Sequence, residues 1–191
     1  DHFNPEVFSL AGQAPDVRFL LGSDLRLTPR NLEKWHLSPE TAAQCRRCGK
    51  YDTLEPLPGV TVETFPSTDE GVAWMVTAEG KTVFHAGDLN WWHWPEESED
   101  WNRNMEASFQ RYTEPLRGRR VDLAMLPLDP RLKEGGFLGP DCFLRLMEVR
   151  RFLPMHQWDQ FEFTDAFLDA FPQYAAITVK IRHNLESFEF D

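Results

Sequence analysis

Phe84-His85-Ala86-Gly87-Asp88-Leu89-Asn90-Trp91-Trp92 joins the end of a β-branched and aromatic run, Thr82 to His85, to two small residues, a carboxylate and a pair of tryptophans. Runs of that composition read as strands, and small residues punctuate them. Asp88 is therefore predicted just past the carboxyl end of a strand.

Working upstream, Val60 to Phe65 and Gly71 to Thr77 have the same texture, and Ala78-Glu79-Gly80-Lys81 supplies a turn that makes a hairpin with Thr82 to His85. Downstream, Pro95 to about Leu116 reads as a helix whose first turn carries Glu96, Glu97 and Glu99, suited to the positive end of a helix dipole. A strand Val121 to Leu126, a glycine-containing loop to Gly139, a helix Pro140 to Arg151, a strand Phe152 to Met155 and a helix Thr164 to Phe171 follow. Strands Ala176 to Ile181 and Glu186 to Phe190 end the chain. Near the start, Asn4-Pro5-Glu6 is an N-cap, a proline in the first turn and an acidic residue, so a helix is predicted from Pro5 to about Ala11. Val17 to Leu21 reads as a short strand, and Ser38-Pro39-Glu40 opens a helix to about Cys45. A hairpin run followed by alternating strands and helices argues for a layered, mixed α/β domain over residues 1–191.

Ligand-type residues recur past the predicted strand ends: Asp69 after Val60 to Phe65, Asp88 after Thr82 to His85, Asp129 after Val121 to Leu126 and His156 after Phe152 to Met155. Strand ends on one edge of a sheet converge, which is where open α/β folds place their sites. Carboxylate with imidazole is a donor mixture for Zn²⁺ or another first-row metal such as Mn or Fe, and it leaves positions open for water.

Composition narrows the partners. Lys and Arg number 20 against 31 Asp and Glu, a net charge of −11, which repels phosphate backbones and anionic lipid heads. The compact basic run Arg117-Gly118-Arg119-Arg120 reads as a solvated turn. A small-molecule substrate is expected, with neither nucleic acid nor membrane as partner; nothing bears on oligomeric state. Three cysteines do not make a disulfide framework, and a cytoplasmic location is expected. Cys45-Arg46-Arg47-Cys48 has metal or redox spacing, but a structural zinc wants four ligands and only Cys142 remains, so the pair reads as an accident at a helix end.

The quoted stretch resembles the segment of the metallo-β-lactamase superfamily that delivers its metal-bridging aspartate, and Pro154-Met155-His156-Gln157-Trp158 resembles the one that delivers its last histidine. Asp1-His2 resembles the end of that superfamily's His-x-His-x-Asp-His signature. The resemblance implies an αββα sandwich of mixed sheets flanked by helices, incomplete at the N-terminus because the His-x-His half lies before residue 1. It further implies that Asp1, His2 and His156 ligate a second metal, that Asp88 bridges two, and that Asp1 also orients the attacking water. The segment that reads Gly-His-Thr in the superfamily is Pro66-Ser67-Thr68-Asp69 here, so Ser67 stands in the histidine's place. Asp69 can substitute as a ligand; Ser67, Thr68 and Asp69 can equally form a hydrogen-bonded turn.

The reaction class implied is hydrolysis of a small-molecule ester, lactone, amide or thioester with one or two zinc ions. The rivals are a superfamily phosphodiesterase or nuclease and a non-enzymatic scaffold with a degraded first metal site. For the pocket, Trp91 and Trp92 either wall the site or pack their loop on the core, His93 either donates a proton or sits aside, and Arg131 either holds an anionic group or closes a loop salt bridge. His85 is expected to support the metal ligands by hydrogen bonding rather than ligate.

Overall fold

The computed structural model describes residues 3–14 and 16–190. A 3-10 helix, Pro5–Gly12, begins where Asn4 Oδ1 accepts from the Glu6 N–H at 2.9 Å, the predicted cap. Strand β1 (Phe19–Gly22) and helix α1 (Pro29–Lys34) come next. Helix α2 (Pro39–Ala43) is capped by Ser38, whose hydroxyl accepts from the Thr41 N–H at 3.1 Å. Strands β2 (Cys45–Cys48), β3 (Thr53–Leu57), β4 (Val60–Pro66), β5 (Val72–Ala78) and β6 (Lys81–His85) lead to helix α3 (Glu99–Thr113). Strand β7 (Arg120–Pro127), helix α4 (Leu138–Leu146), strand β8 (Glu148–Met155) and helix α5 (Phe163–Ala170) complete the regular elements.

Strands β3 to β8 form one sheet in sequence order, and β1 pairs with β2 in a small parallel sheet. From β3 to β6 neighbours are antiparallel; β6, β7 and β8 are parallel, with His85 opposite Met125 and Pro127 opposite Met155. This arrangement brings the carboxyl ends of β4, β6, β7 and β8 to one edge.

Side chains alternate across β5, as a strand dictates. Ala73 and Met75 join Phe84, Phe109, Phe143, Phe152 and Phe167 in the main core beneath α3, α4 and α5. On the opposite face, Trp74 and Val76 pack with Val62, Leu54 and Cys48 and with Leu20 of β1. The other side of β1, Phe19 and Leu21, meets Phe8, Leu25, Leu27 and Trp35 of the N-terminal helical layer. The layers therefore run helices, six-stranded sheet, two-stranded sheet and short helices, the predicted order with a second sheet of two strands.

Several expected elements differ. Glu148 to Arg151, read as the end of a helix, is the first half of β8: Met147 turns extended after Leu146, and pairing with β7 overrides the helix propensity of Glu and Arg. The helix expected from Pro95 to Leu116 is regular from Glu99 to Thr113, capped by the Ser98 hydroxyl on the Trp101 N–H at 3.2 Å, with a 3-10 turn at Glu114–Leu116. Cys45–Cys48 is a strand rather than a helix end, and α1 and β3 were not anticipated. Ala176 to Ile181 and Glu186 to Phe190 form no strands; a single bridge, Phe152 to Thr178, ties the first of them to the sheet.

Candidate functional site

Asp88 leaves β6 through Ala86 and Gly87. Gly87 has φ +55, and a Cβ there would lie 3.1 Å from the Val72 carbonyl oxygen, so the turn needs both the left-handed backbone and the missing side chain. Gly87→Ala is expected to cost ~1–3 kcal/mol by denaturant unfolding. Wild-type stability in that variant would show that the turn has an unstrained alternative.

The Thr68 hydroxyl fastens the neighbouring loop to this turn: it accepts from the Asn90 N–H at 3.0 Å and lies 2.7 Å from the Asn90 carbonyl and 3.2 Å from that of Asp88. Trp92 is buried, and its indole N–H donates to the Asp88 carbonyl at 2.9 Å.

His156 is the first residue beyond β8. Its φ of 61, with 49 at Trp158 and 59 at Asp159, gathers three left-handed non-glycine residues in one loop, a concentration of backbone strain that favours a functional role. The imidazole Nε2 lies 3.2 Å from Asp88 Oδ1, and Nδ1 lies 3.7 Å from Asp129 Oδ2. The Trp92 ring sits against the imidazole with centroids 5.6 Å apart. Asp129, fully buried past the end of β7, takes three further bonds from Arg131: from its backbone N–H at 2.9 Å, from Nε at 2.9 Å and from Nη2 at 2.6 Å. The Trp158 indole N–H adds a fourth at 3.3 Å. Asp88, His156 and Asp129 thus form a carboxylate–imidazole–carboxylate row, with Asp129 beside Nδ1 and Asp88 beside Nε2.

This row sets the proton chemistry. Burial drives the Asp129 carboxyl upward, but His156 and Arg131 outweigh it and hold it well below the usual carboxylate range. His156 is pushed up to about 9, chiefly through Asp129, then Asp88, with burial acting the other way. His85 is lowered, mainly by burial, and its Nδ1 accepts from the Gly87 N–H at 3.0 Å, which makes it a support for the turn.

Because the folded-state pKa of His156 exceeds its unfolded value of ~6.5, its stabilisation is complete below that pH and disappears as the pH rises through about 9. Chelator-treated protein is expected to lose up to ~3 kcal/mol between pH ~6.5 and ~9.5 in urea unfolding. An equal loss in His156→Asn would remove His156 as its source.

A cleft of about 1030 Å³ opens onto this row, lined on one side by Asp88, His85, His156 and Met155 and on the other by Val7, Leu10, Val17 and Leu25 of the N-terminal layer. A second, open cavity of about 540 Å³ shares His156 and Met155 and is lined further by Trp158, Phe161, Ile181 and Leu185.

The other sequence-predicted residues fall elsewhere. Asp69 is exposed, and its N–H donates to Ser67 Oγ at 3.1 Å, the geometry of the hydrogen-bonded turn. Trp91, Trp92, His93 and Arg131 do not line the cleft. Trp91 packs on Phe109 at 5.9 Å, and Trp92 backs the Asp88–His156 pair. His93 lies against Gly135, where a Cβ would come within 3.4 Å of its ring. Arg131 is committed to Asp129, with its guanidinium over the rings of Trp94 at 5.4 Å and Trp158 at 4.4 Å. Asp1 and His2 lie outside the described residues. Sequence reasoning missed the orienting role of Asp129 and the stacking of Trp94 and Trp158 on Arg131.

As a metal centre, Asp88 and His156 bring a carboxylate oxygen and an imidazole nitrogen together, a donor pair that suits zinc or iron. Among the described residues no group of three or more His, Cys, Asp or Glu is placed to hold one ion. The pair is therefore a partial set, and the further ligands implied by the resemblance are Asp1 and His2. No helix among the described residues is long and apolar enough to cross a membrane.

No protein-family model matches the sequence, and no curated protein does. Solved structures do. CmlA, a diiron β-hydroxylase from Streptomyces venezuelae, is similar at a TM-score of 0.51 with 9% identity over 86% of this chain and 38% of that one. A protein assigned as a Zn-dependent hydrolase of the metallo-β-lactamase superfamily from Thermotoga maritima is similar at 0.40 with 16% identity, over 66% of this chain and 59% of that one. Zn²⁺-bound PqqB from Methylobacterium extorquens is similar at 0.35 with 18% identity, over 68% and 48%. The chain spans less than two thirds of the length of each of these proteins. Its layer order, its strand order and the likeness to CmlA give this chain a metallo-β-lactamase-like fold.

Proposed function

We propose that the protein is a metal-dependent hydrolase acting on a small-molecule ester, lactone, amide or thioester. The observation that carries this reading is the pairing of Asp88 and His156 at 3.2 Å on the sheet edge, facing a cleft of about 1030 Å³. Asp88 and His156, with Asp1 and His2, would hold one or two ions, zinc first and manganese or iron as alternatives. A cation there supplies the Lewis acidity that polarises a carbonyl and lets water attack near neutral pH. The chain's own residues do the rest: Asp129 stands beside the imidazole Nδ1, Thr68 and Trp92 hold the Asp88 loop, and Val7, Leu10, Val17 and Leu25 give the cleft an apolar wall. The three thiols are free, which favours a reducing, cytoplasmic setting.

A phosphodiester is a poorer fit than an ester, because Arg131 is tied to Asp129 and is not among the residues lining the cleft. The test is metal content by elemental analysis together with turnover of a panel of esters, lactones and thioesters before and after chelation. About one or two ions per chain and activity restored by Zn²⁺, Mn²⁺ or Fe²⁺ are expected. A folded protein without stoichiometric metal, or hydrolysis indifferent to chelation, would overturn the reading. Asp69→Ala decides that residue's role: unchanged metal content makes it a turn residue.

A further inference from the structure

The smaller cavity beside His156 is built largely from side chains that the core does not use. Leu153, Met155, Trp158 and Phe161 come from β8 and the loop after it; Ile181, Leu185 and Phe188 come from the irregular segment that follows Val179. Trp158, Phe161, Ile181, Leu185 and Phe188 belong to none of the three apolar core clusters of the described residues. Trp158, Leu185 and Phe188 are 55%, 100% and 36% exposed, three of the eight large apolar side chains so exposed among the described residues. Scattered exposed apolar residues carry no message, but several around one cavity mark a ligand or partner site. Trp158 is a fixed wall, since the Arg131 guanidinium lies over its ring at 4.4 Å and its indole N–H reaches Asp129.

The facing segment is held by polar contacts. Lys180 and Arg182 donate to Asp165 at 2.7 Å each, and Asn184 Nδ2 donates to Asp159 at 2.7 Å; such exposed ties are individually weak. Its apolar side chains are left for whatever enters. Among the described lining residues there is no Lys or Arg, and the two carboxylates, Asp159 and Glu186, accept from Asn184 and from the Arg182 N–H. A volume of about 540 Å³ suits part of a small molecule, and Met155 and His156 are shared with the larger cleft, so the cavity is continuous with the reacting centre. We propose that it receives an uncharged alkyl chain of the substrate, running from His156 between the end of β8 and the segment that carries Ile181, Leu185 and Phe188. This deepens the hydrolase reading and rests on it for the place of the scissile carbonyl, beside Asp88 and His156.

The experiment is equilibrium binding by calorimetry to the protein as purified, with three neutral probes that it cannot hydrolyse: hexan-1-ol, heptan-1-ol and octan-1-ol. Each added methylene is expected to tighten binding ~2- to 4-fold. The double variant Leu185→Ser, Phe188→Ser is expected to weaken octan-1-ol ~10-fold and to flatten the increment. Leu185→Ser alone, at a side chain wholly in solvent, is expected to weaken it ~2- to 3-fold and serves should the double variant misfold. Leu10→Ser, in the wall of the larger cleft, is expected to leave alcohol binding unchanged.

No increment with chain length, binding indifferent to the Leu185 and Phe188 variants, or a larger effect of Leu10→Ser than of theirs would overturn the proposal. So would a dimer, seen by sedimentation, that the double variant dissociates, because the patch would then be covered by a second copy of the chain. Binding is read without turnover. A protein that shows the increment and its loss in the variants but hydrolyses nothing refutes the hydrolase reading alone; a chelator-sensitive hydrolase without the increment refutes this one alone.

Discussion

Asp88→Ala is expected to strip bound metal and abolish hydrolysis together. Residues that merely support metal ligands cost ~10- to 100-fold when removed, so deletion of a ligand itself should exceed ~100-fold in both metal affinity and kcat/KM. The side chain is nearly buried and faces His156 Nε2 at 3.2 Å, and among the described residues no third His, Cys, Asp or Glu is placed to hold an ion with them. The fold should persist, because the Asp88 carbonyl, rather than its carboxylate, accepts from Trp92 and lies against Thr68. Metal retained after dialysis, judged by elemental analysis on protein with wild-type circular dichroism, would remove Asp88 from the metal centre.

The chain announced part of this in its sequence. Strands β4 to β7 were legible because Val, Thr, Phe and Trp recur there with turn residues between, and the carboxyl ends of β4, β6 and β7 had to share an edge once β6 and β7 ran parallel. The approach of Asp88 to His156 followed from that edge. β8 was legible only from Phe152 onward, since Glu148, Arg150 and Arg151 look like a solvated helix and become strand through pairing with β7. The β-rich composition of Ala176 to Ile181 misled in the other direction, because the chain bridges to β8 through Thr178 and continues in irregular structure. Arg131 was ambiguous for a different reason. Whether its guanidinium reaches Asp129 or a substrate depends on the loop backbone and on the rings of Trp94 and Trp158, which come from two other strand ends. Such contacts carry no local signature.

The same convergence makes Asp129 the residue whose loss should cost the fold most. Asp129→Ala would leave the Arg131 guanidinium, still partly solvated beside two indoles, without its counter-ion and take the carboxylate away from the His156 ring, and losing hydrogen bonds to a charged group costs ~1.5–3 kcal/mol. A large loss of stability alone does not distinguish a structural residue from an orienting one. Asp129→Asn does: the amide keeps the volume and an oxygen to accept from Arg131 but loses the charge that holds up the His156 pKa. In metal-free protein that pKa should fall from about 9 toward its ordinary range, followed by NMR of the imidazole protons. Metal affinity should drop ~10- to 100-fold, as for other groups that hold a ligating imidazole in place. If Asp129→Asn unfolds more easily yet keeps the wild-type His156 titration and metal affinity, Asp129 serves only to bind Arg131, and the imidazole is oriented by Asp88 and Trp92 alone.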